Sequence, residues 1–551
     1  MEPSQLRRIS LALAIVLAAG FLLATHRLWV PADPGVDENA YLVSGKLLAR
    51  TGSPGFTPAD PYSLVGKMWI GTREGKFYPK YPLGQPLLVA LAVKAAGLRA
   101  AYWINPLLMT LALFGVFRLV REAAGSIAGL LGMIMMAASP VTLAETNDPD
   151  SHASSLCFTT WGMFLLLGWW RTGKLRHAAL AGLLLGVSAI TRYTEGLLLL
   201  PIGLVVLFRC GRRPSRRSLG AVAALAAGWL APVAGQLLFN LNALHSLTGY
   251  DTTHESTAFS AGLFAHNGLL TARLLTVLGL PGFFLLGLLG LAMLAFREGR
   301  LAAVLWAWLL PNLFLYTSYY WALENDGVEL LRFFLTVFPP LVLGAAWLLT
   351  RPLPGRLPRW AQAAAAFALV LAGAGICVRE ALPILARDRI EDLNVQRAAV
   401  ATLANAPPGS AVLGPQEALL HLQFVGDYQL YSRNLFMRHV IAELGKIDAR
   451  EPSALQPERA RALFELLHGR GEADLDRLER DLMAGQLREG HRVFLIAPAR
   501  KNRHWLELVD ADLDALDGRH FATRQLAVWP ESGGLDWQLL EVTAKPVTAN
   551  R

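Results

Sequence analysis

Long apolar blocks, many close to the ~20 residues needed to cross a ~30 Å hydrocarbon core, follow one another from the N-terminus to about residue 380. In lipid every backbone polar group must be satisfied within its own segment, so such blocks can only be helices that span the bilayer. The fold class read from them is an α-helical polytopic membrane protein. Composition agrees: of 551 residues 54% are hydrophobic and 17% charged, with mean hydropathy +0.37, which is far more apolar than a soluble chain of this size. Residues 381–551 have ordinary mixed polarity and read as one soluble domain.

The net charge of +9 would suggest nucleic acid in a soluble protein. Here the arginines gather in short loops between apolar blocks, so membrane topology accounts for them and no nucleic-acid partner is expected. Cys157, Cys210 and Cys377 include no close-spaced pair, which argues against a disulfide framework or a CxxC zinc site.

The spacing predicts about eleven spans: 8–29, 101–121, 125–143, 154–171, 177–191, 194–209, 218–240, 276–296, 300–317, 331–350 and 360–379. The first follows Arg7 and Arg8 and lacks a small-x-small cleavage site, so it reads as a retained helix rather than a signal peptide. With the N-terminus inside, the Arg-rich connections at Arg118/Arg121, Arg171/Lys174/Arg176, Arg209–Arg217, Arg297/Arg300 and Arg351–Arg359 all fall on the cytoplasmic side, as the positive-inside rule requires. The apolar segment 84–98 is too short for a span and reads as interfacial or re-entrant. The polar segments 31–83, 144–153, 241–275 and 318–331, and the C-terminal domain, then share the outer face. Polar bends at membrane depth need water or protein around them, which implies a cavity open to the outside.

Those segments hold the candidate functional residues. Val36-Asp37-Glu38-Asn39-Ala40-Tyr41 follows Pro34-Gly35. Asp37 reads either as the N-cap of a helix through Arg50 or as half of an acidic pair poised to accept a proton. Lys80, in Tyr78-Pro79-Lys80-Tyr81-Pro82, is either a lysine snorkelling to the interface or a phosphate ligand. Glu145-Thr146-Asn147-Asp148-Pro149-Asp150-Ser151-His152 packs three carboxylates and a histidine between two spans. A solvated capping loop, a divalent metal, or hydrogen bonds to sugar hydroxyls would each explain it, and the spacing matches no strong metal signature. Arg192, in Thr191-Arg192-Tyr193-Thr194-Glu195, needs either Glu195 or a lipid phosphate as partner. Tyr250 stands in an outer loop suited to sugar stacking. Arg332 places another cation at the outer boundary, beside the interfacial aromatics Tyr319, Tyr320 and Trp321. An anion site beside a base suits an anionic lipid-linked donor whose leaving group is a phosphate.

Over roughly residues 1–380 this pattern resembles the GT-C superfamily of membrane glycosyltransferases, and within it family 39: the protein O-mannosyltransferases and the lipid A aminoarabinose transferases. The resemblance rests on Asp37-Glu38 with Tyr41, on Lys80-Tyr81-Pro82-Leu83, on the acidic segment 145–150, on Ala189-Ile190-Thr191-Arg192, and on Leu331-Arg332-Phe333-Phe334 running into Phe338-Pro339-Pro340. It implies an inverting transfer of a hexosyl or pentosyl group from a polyprenyl-phosphate donor to a lipid, glycan or protein acceptor, at the outer face of a bacterial inner membrane. Asp37 would be the base, with Glu38 its companion and Asp148 the favoured second acid. Lys80, Arg192 and Arg332 would hold the carrier phosphate. Tyr41, Tyr81, Glu145, His152 and Tyr250 are the candidate sugar- or acceptor-binding residues. The resemblance fixes no cofactor and leaves a divalent metal open.

In the C-terminal domain Ala411-Val412-Leu413, Arg492 to Ile496 and Leu535 to Val542 read as strands and the stretch around Leu455 to Leu487 as helical, which makes a small α/β domain. It serves as a lid or packing module, or in acceptor recognition. A multi-span transporter or lipid flippase is the main rival function, but it should show internal repeats and charges near the midplane, and neither is evident in the sequence.

Overall fold

A computed structural model of the chain describes residues 3–211, 215–249, 258–320, 327–351, 358–446, 456–499, 521–530 and 536–545. The chain divides into two compact units. One comprises Met1–Trp29, Pro82–Leu88 and Ala100–Arg387; the other comprises Val30–Tyr81, Val89–Arg99 and Asp388–Arg551.

The first unit is helical. Among the described residues, eight helices are long and apolar enough to cross a membrane, and nine if a bent pair counts as one span. The bend, 65° between Ser126–Ala138 and Pro140–Asn147, has a local cause. Pro140 forces Ser139 out of the helical region, to φ −56° and ψ 129°. The Ser139 hydroxyl then donates to the Gly279 carbonyl at 2.6 Å. Three shorter apolar helices, Gly84–Ala96, Leu175–Thr191 and Phe284–Arg297, fall below spanning length, so the count is lower than the eleven or so spans expected. Close packing between helices relies on glycine: a Cβ on Gly290 would collide with the Gly344 carbonyl, the small-residue contact expected where lipid supplies no hydrophobic drive.

One segment differs from the sequence reading. Residues 241–275, expected as an outer loop, include an α-helix, Ala261–Leu274, that continues through a π turn at Leu275–Gly279. Together they make a 19-residue apolar span. His266, Asn267, Thr271 and Arg273 break the apolar run in the sequence, yet Asn267 and Thr271 are buried, and Asn267 donates to the Thr317 carbonyl at 3.2 Å.

The second unit holds a five-stranded sheet in the order β4-β3-β5-β7-β6, with β3 Ala411–Gly414, β4 Gln429–Ser432, β5 Val493–Pro498, β6 Phe521–Pro530 and β7 Asp536–Ala544, and a separate hairpin of β1 Trp69–Gly71 and β2 Phe77–Pro79. β3 pairs parallel with β4 and β5, while β7 is antiparallel to β5 and β6. One face buries Val412, Phe494, Ile496 and Leu539 against the helix Gln416–Val425 and the C-terminal end of the long helix Arg359–Asn405. The other buries Leu413, Tyr431, Leu495 and Val542 with Met483 of the helix Glu472–Arg488. The sheet-containing C-terminal region agrees with the α/β expectation.

The segment Val30–Tyr81 belongs to this same unit. Its helix, Val36–Thr51, is locked onto the Gln416–Val425 helix. Asn39 donates to the Leu420 carbonyl at 3.0 Å and accepts from the Trp69 indole at 3.2 Å. Lys46 donates to the Gln423 carbonyl at 3.0 Å and pairs with Asp427 at the same distance. Leu64 adds a backbone bond to Leu430 at 2.7 Å.

Candidate active site

In the second unit Asp37 lies in the first turn of its helix rather than at the N-cap, which is Gly35. A Cβ on Gly35 would run into the Glu38 carboxylate, so a larger residue there would push that side chain aside. The Tyr81 hydroxyl donates to Asp37 Oδ1 at 2.8 Å. The Tyr81 ring stacks on Tyr41 with centroids 4.7 Å apart, and Lys80 Nζ lies 5.9 Å from the Tyr81 centroid. Lys80 is placed by β2: its backbone N–H bonds the Met68 carbonyl at 2.9 Å, and its side chain is buried. Four residues that sequence reading singled out, Asp37, Tyr41, Lys80 and Tyr81, therefore form one cluster, with Glu38 buried beside it.

The first unit holds a second cluster. The loop after Asn147 is pinned by Asn105, whose amide donates to the Asp148 and Asp150 carbonyls. Asn105 is itself held by Gln85 at 3.2 Å, and Gln85 by Ser154 at 2.6 Å. Asp150 Oδ1 accepts the His152 backbone N–H at 2.8 Å, and its Oδ2 lies 3.1 Å from His152 Nε2. Glu145, Asp150 and His152 are buried, with ligand atoms all within 4.8 Å of one another. Asp150, more than the favoured Asp148, joins this group.

Two arginines border it, each at a break in a helix. Arg192 is extended, at φ −143° and ψ 121°, between the Leu175–Thr191 helix and the short 3₁₀ turn Tyr193–Leu198. Its guanidinium donates to the Ser151 hydroxyl at 3.3 Å and the Tyr316 hydroxyl at 3.0 Å, and lies 3.0 Å from His152 Nε2. Arg332 opens the 3₁₀ turn Arg332–Val337, which runs into Pro339-Pro340. Both guanidiniums face one ring, Phe333, at 5.4 Å from Arg192 and 5.6 Å from Arg332. That ring also meets His152 edge-on and stacks on Tyr316. The carboxyl of Glu195, one of the two partners weighed for Arg192, accepts a hydrogen bond from Thr336 at 3.0 Å. Tyr250 lies outside the described residues.

Sequence reasoning missed Tyr316, Gln85 and Asn105, and took in Phe333 only as part of the Leu331-Arg332-Phe333-Phe334 motif. Each lies within an apolar run and gives no local pattern. The one available signal was a buried-depth amide, Gln85 or Asn105, in a span that has no other use for it.

Glu145, Asp150 and His152 have the donor types and spacing for a divalent ion. However, the nitrogen His152 turns toward Asp150 is also the one facing the Arg192 guanidinium, and a dication there would displace that contact beside a fixed positive charge. These three residues could hold a divalent ion only in place of the contact between His152 and Arg192.

A family model described as dolichyl-phosphate-mannose-protein mannosyltransferase matches residues 81–239. The structure is similar to ArnT from Cupriavidus metallidurans bound to undecaprenyl phosphate, with 13% identity, a TM-score of 0.50, and coverage of 96% of this chain and 97% of that one. It is also similar to the arabinofuranosyltransferase AftD from Mycobacteria in a mutant form, with 16% identity, a TM-score of 0.52, and coverage of 98% of this chain and 41% of that one. Both are GT-C glycosyltransferases. The chain has the GT-C fold. The stretch the family model matches takes in Tyr81, the 145–152 loop and Arg192, and stops short of Asp37 and Arg332. No curated protein matches the chain in sequence.

Proposed function

We propose that the chain is an inverting glycosyltransferase that moves a sugar from a polyprenyl-phosphate donor to an acceptor at the outer face of the membrane, with its N-terminus cytoplasmic and its C-terminal domain on the far side. The observation that carries this reading is the convergence of Arg192 and Arg332 on the Phe333 ring. Two guanidiniums gathered at helix breaks in an apolar unit mark a functional site, and a planar bidentate donor suits a phosphate.

The chemistry is one displacement. An acceptor oxygen or nitrogen attacks the anomeric carbon, its proton passes to Asp37, and the bond from that carbon to the carrier phosphate oxygen breaks. Tyr81 orients the Asp37 carboxylate through one of its oxygens. Lys80, Arg192 and Arg332 take the charge that develops on the departing phosphate. Glu145 and His152, with the Tyr41–Tyr81 stack, suit a sugar's hydroxyls and apolar face. The fold resemblance supports the donor class, since ArnT is described bound to undecaprenyl phosphate.

The test is incubation of the purified protein with a panel of polyprenyl-phosphate sugars and an assay for released carrier phosphate. Release with at least one donor is expected. No turnover with any donor, together with substrate movement in proteoliposomes, would instead make the protein a transporter.

A further inference from the structure

The second unit contains a cleft of about 510 Å³, within the ~300–1,000 Å³ range of small-molecule sites. It opens beside the sheet face where β6 meets β7. Trp529 and Trp537 are directly opposite one another in that pairing, so both indoles stand on one face of the sheet. The far wall is the end of the long helix Arg359–Asn405, with Glu391 and Asn394, and Glu417 adds a third polar side chain. The helix is tied to β6 there, because Arg397 donates to the Pro530 carbonyl at 2.8 Å.

The lining has a chemical bias. Its carboxylates are pure hydrogen-bond acceptors, and Asn394 Oδ1 is buried with no hydrogen-bond partner among the described residues. None of the described residues lining the cleft is basic. Such a site rewards a ligand rich in donors, with an apolar face to lie on an indole, and it repels a phosphate or carboxylate. A saccharide ring meets both demands: its hydroxyls or ammonium groups donate, and its C–H face packs on tryptophan.

The cleft adjoins the start of the helix that carries Asp37, though Asp37 does not itself line it. Val36 is part of its wall and packs against the same apolar cluster as Trp529 and Trp537. The next residue in the chain is Asp37. We propose that this cleft is the acceptor site, and that the acceptor presents a neutral or amine-bearing sugar ring. The role as acceptor site rests on the reading of Asp37 as base, while the preference for such a saccharide rests on the cleft alone.

Saturation-transfer NMR on the full chain in nanodiscs, with no donor present, tests it. The probes are cellobiose, the glucosamine disaccharide, digalacturonic acid and a serine-containing tripeptide. Cellobiose and the glucosamine disaccharide should bind saturably, with digalacturonic acid at least about tenfold weaker. Trp537→Ala should weaken binding by about tenfold or more. Glu417→Gln changes only an exposed side chain and should narrow the discrimination against digalacturonic acid. The proposal is overturned if no saccharide binds saturably, if digalacturonic acid binds equally well, if neither variant changes binding, or if the tripeptide binds in preference. Because no donor is used, the two readings fail separately. Saccharide binding with full transfer by Asp37→Asn would remove the base and leave the saccharide site, whereas loss of transfer in Asp37→Asn without saccharide binding would remove the cleft alone.

Discussion

The Thr336 hydroxyl donates to the Glu195 carboxyl at 3.0 Å, and this bond joins the two helix breaks that carry Arg332 and Arg192. Both partners are buried. Glu195 follows Arg192 by three residues and Thr336 follows Arg332 by four, so the bond fixes how the two guanidiniums present to a shared anion. Thr336→Val keeps the shape and removes the donor. A lost bond to a charged group is worth ~1.5–3 kcal/mol, so the donor KM should rise at least about tenfold, with a smaller change in kcat. An unchanged KM would leave Glu195 and Thr336 as packing only.

Arg332→Ala should lower transfer by about 10²–10³, the usual loss when one donor to a developing oxyanion is removed. Arg332→Lys should recover only part of it, because an ammonium cannot reproduce the planar fork. Equal activity of the lysine variant and the parent would show that Arg332 acts as charge alone.

Tyr81→Phe deletes the hydrogen bond to Asp37 and keeps the stack on Tyr41. The expected result is a fall of about tenfold in kcat, in line with one net hydrogen bond of ~1 kcal/mol or more, with thermal stability little changed. Full activity would contradict the role of Tyr81 in orienting the base.

Chelation provides a separate check. With the Arg192 guanidinium 3.0 Å from His152 Nε2, dialysis against EDTA should leave transfer within about twofold, because Lys80, Arg192 and Arg332 supply the positive charge a metal would otherwise provide. Loss of activity restored by a divalent ion would show that Glu145, Asp150 and His152 hold one.

His421 gives the second unit a pH signature. Burial pushes its imidazole down to about 4 from an ordinary 6.5. The folded state therefore binds that proton less readily than the unfolded chain. The stability this group contributes is complete above pH 6.5 and is lost progressively as pH falls toward 4. The loss reaches up to ~3 kcal/mol. Thermal melts between pH 7 and 4 should show the decline, and His421→Gln should flatten it. An identical pH profile in the variant would assign the decline to other groups.

Most of the long apolar helices were legible because the bilayer sets their length, whereas Ala261–Gly279, broken by polar residues, was not. The strands β3, β5 and β7 were legible as short apolar runs, whereas β4 and β6 were not: β6 alternates half-exposed and exposed residues such as Arg524 and Gln525. That Val30–Tyr81 joins the C-terminal unit could not be read locally. Asn39, Lys46 and Leu64 are fixed largely by backbone carbonyls more than 350 positions away, and a carbonyl leaves no trace in residue type. Asp150 emerged over Asp148 for a similar reason. Asn105 holds both backbones, and only the resulting turn decides which carboxylate meets His152.

The account's central claim is that Asp37 and the three cations Lys80, Arg192 and Arg332 serve one bound donor. An experimental structure of the full chain in nanodiscs with undecaprenyl phosphate tests it most directly. The account predicts the phosphate in hydrogen-bond contact with Arg192 and Arg332, Lys80 within reach, and the Asp37 carboxylate facing it across the space of one sugar ring. A phosphate bound elsewhere, or Asp37 on the opposite membrane surface from it, would contradict the account.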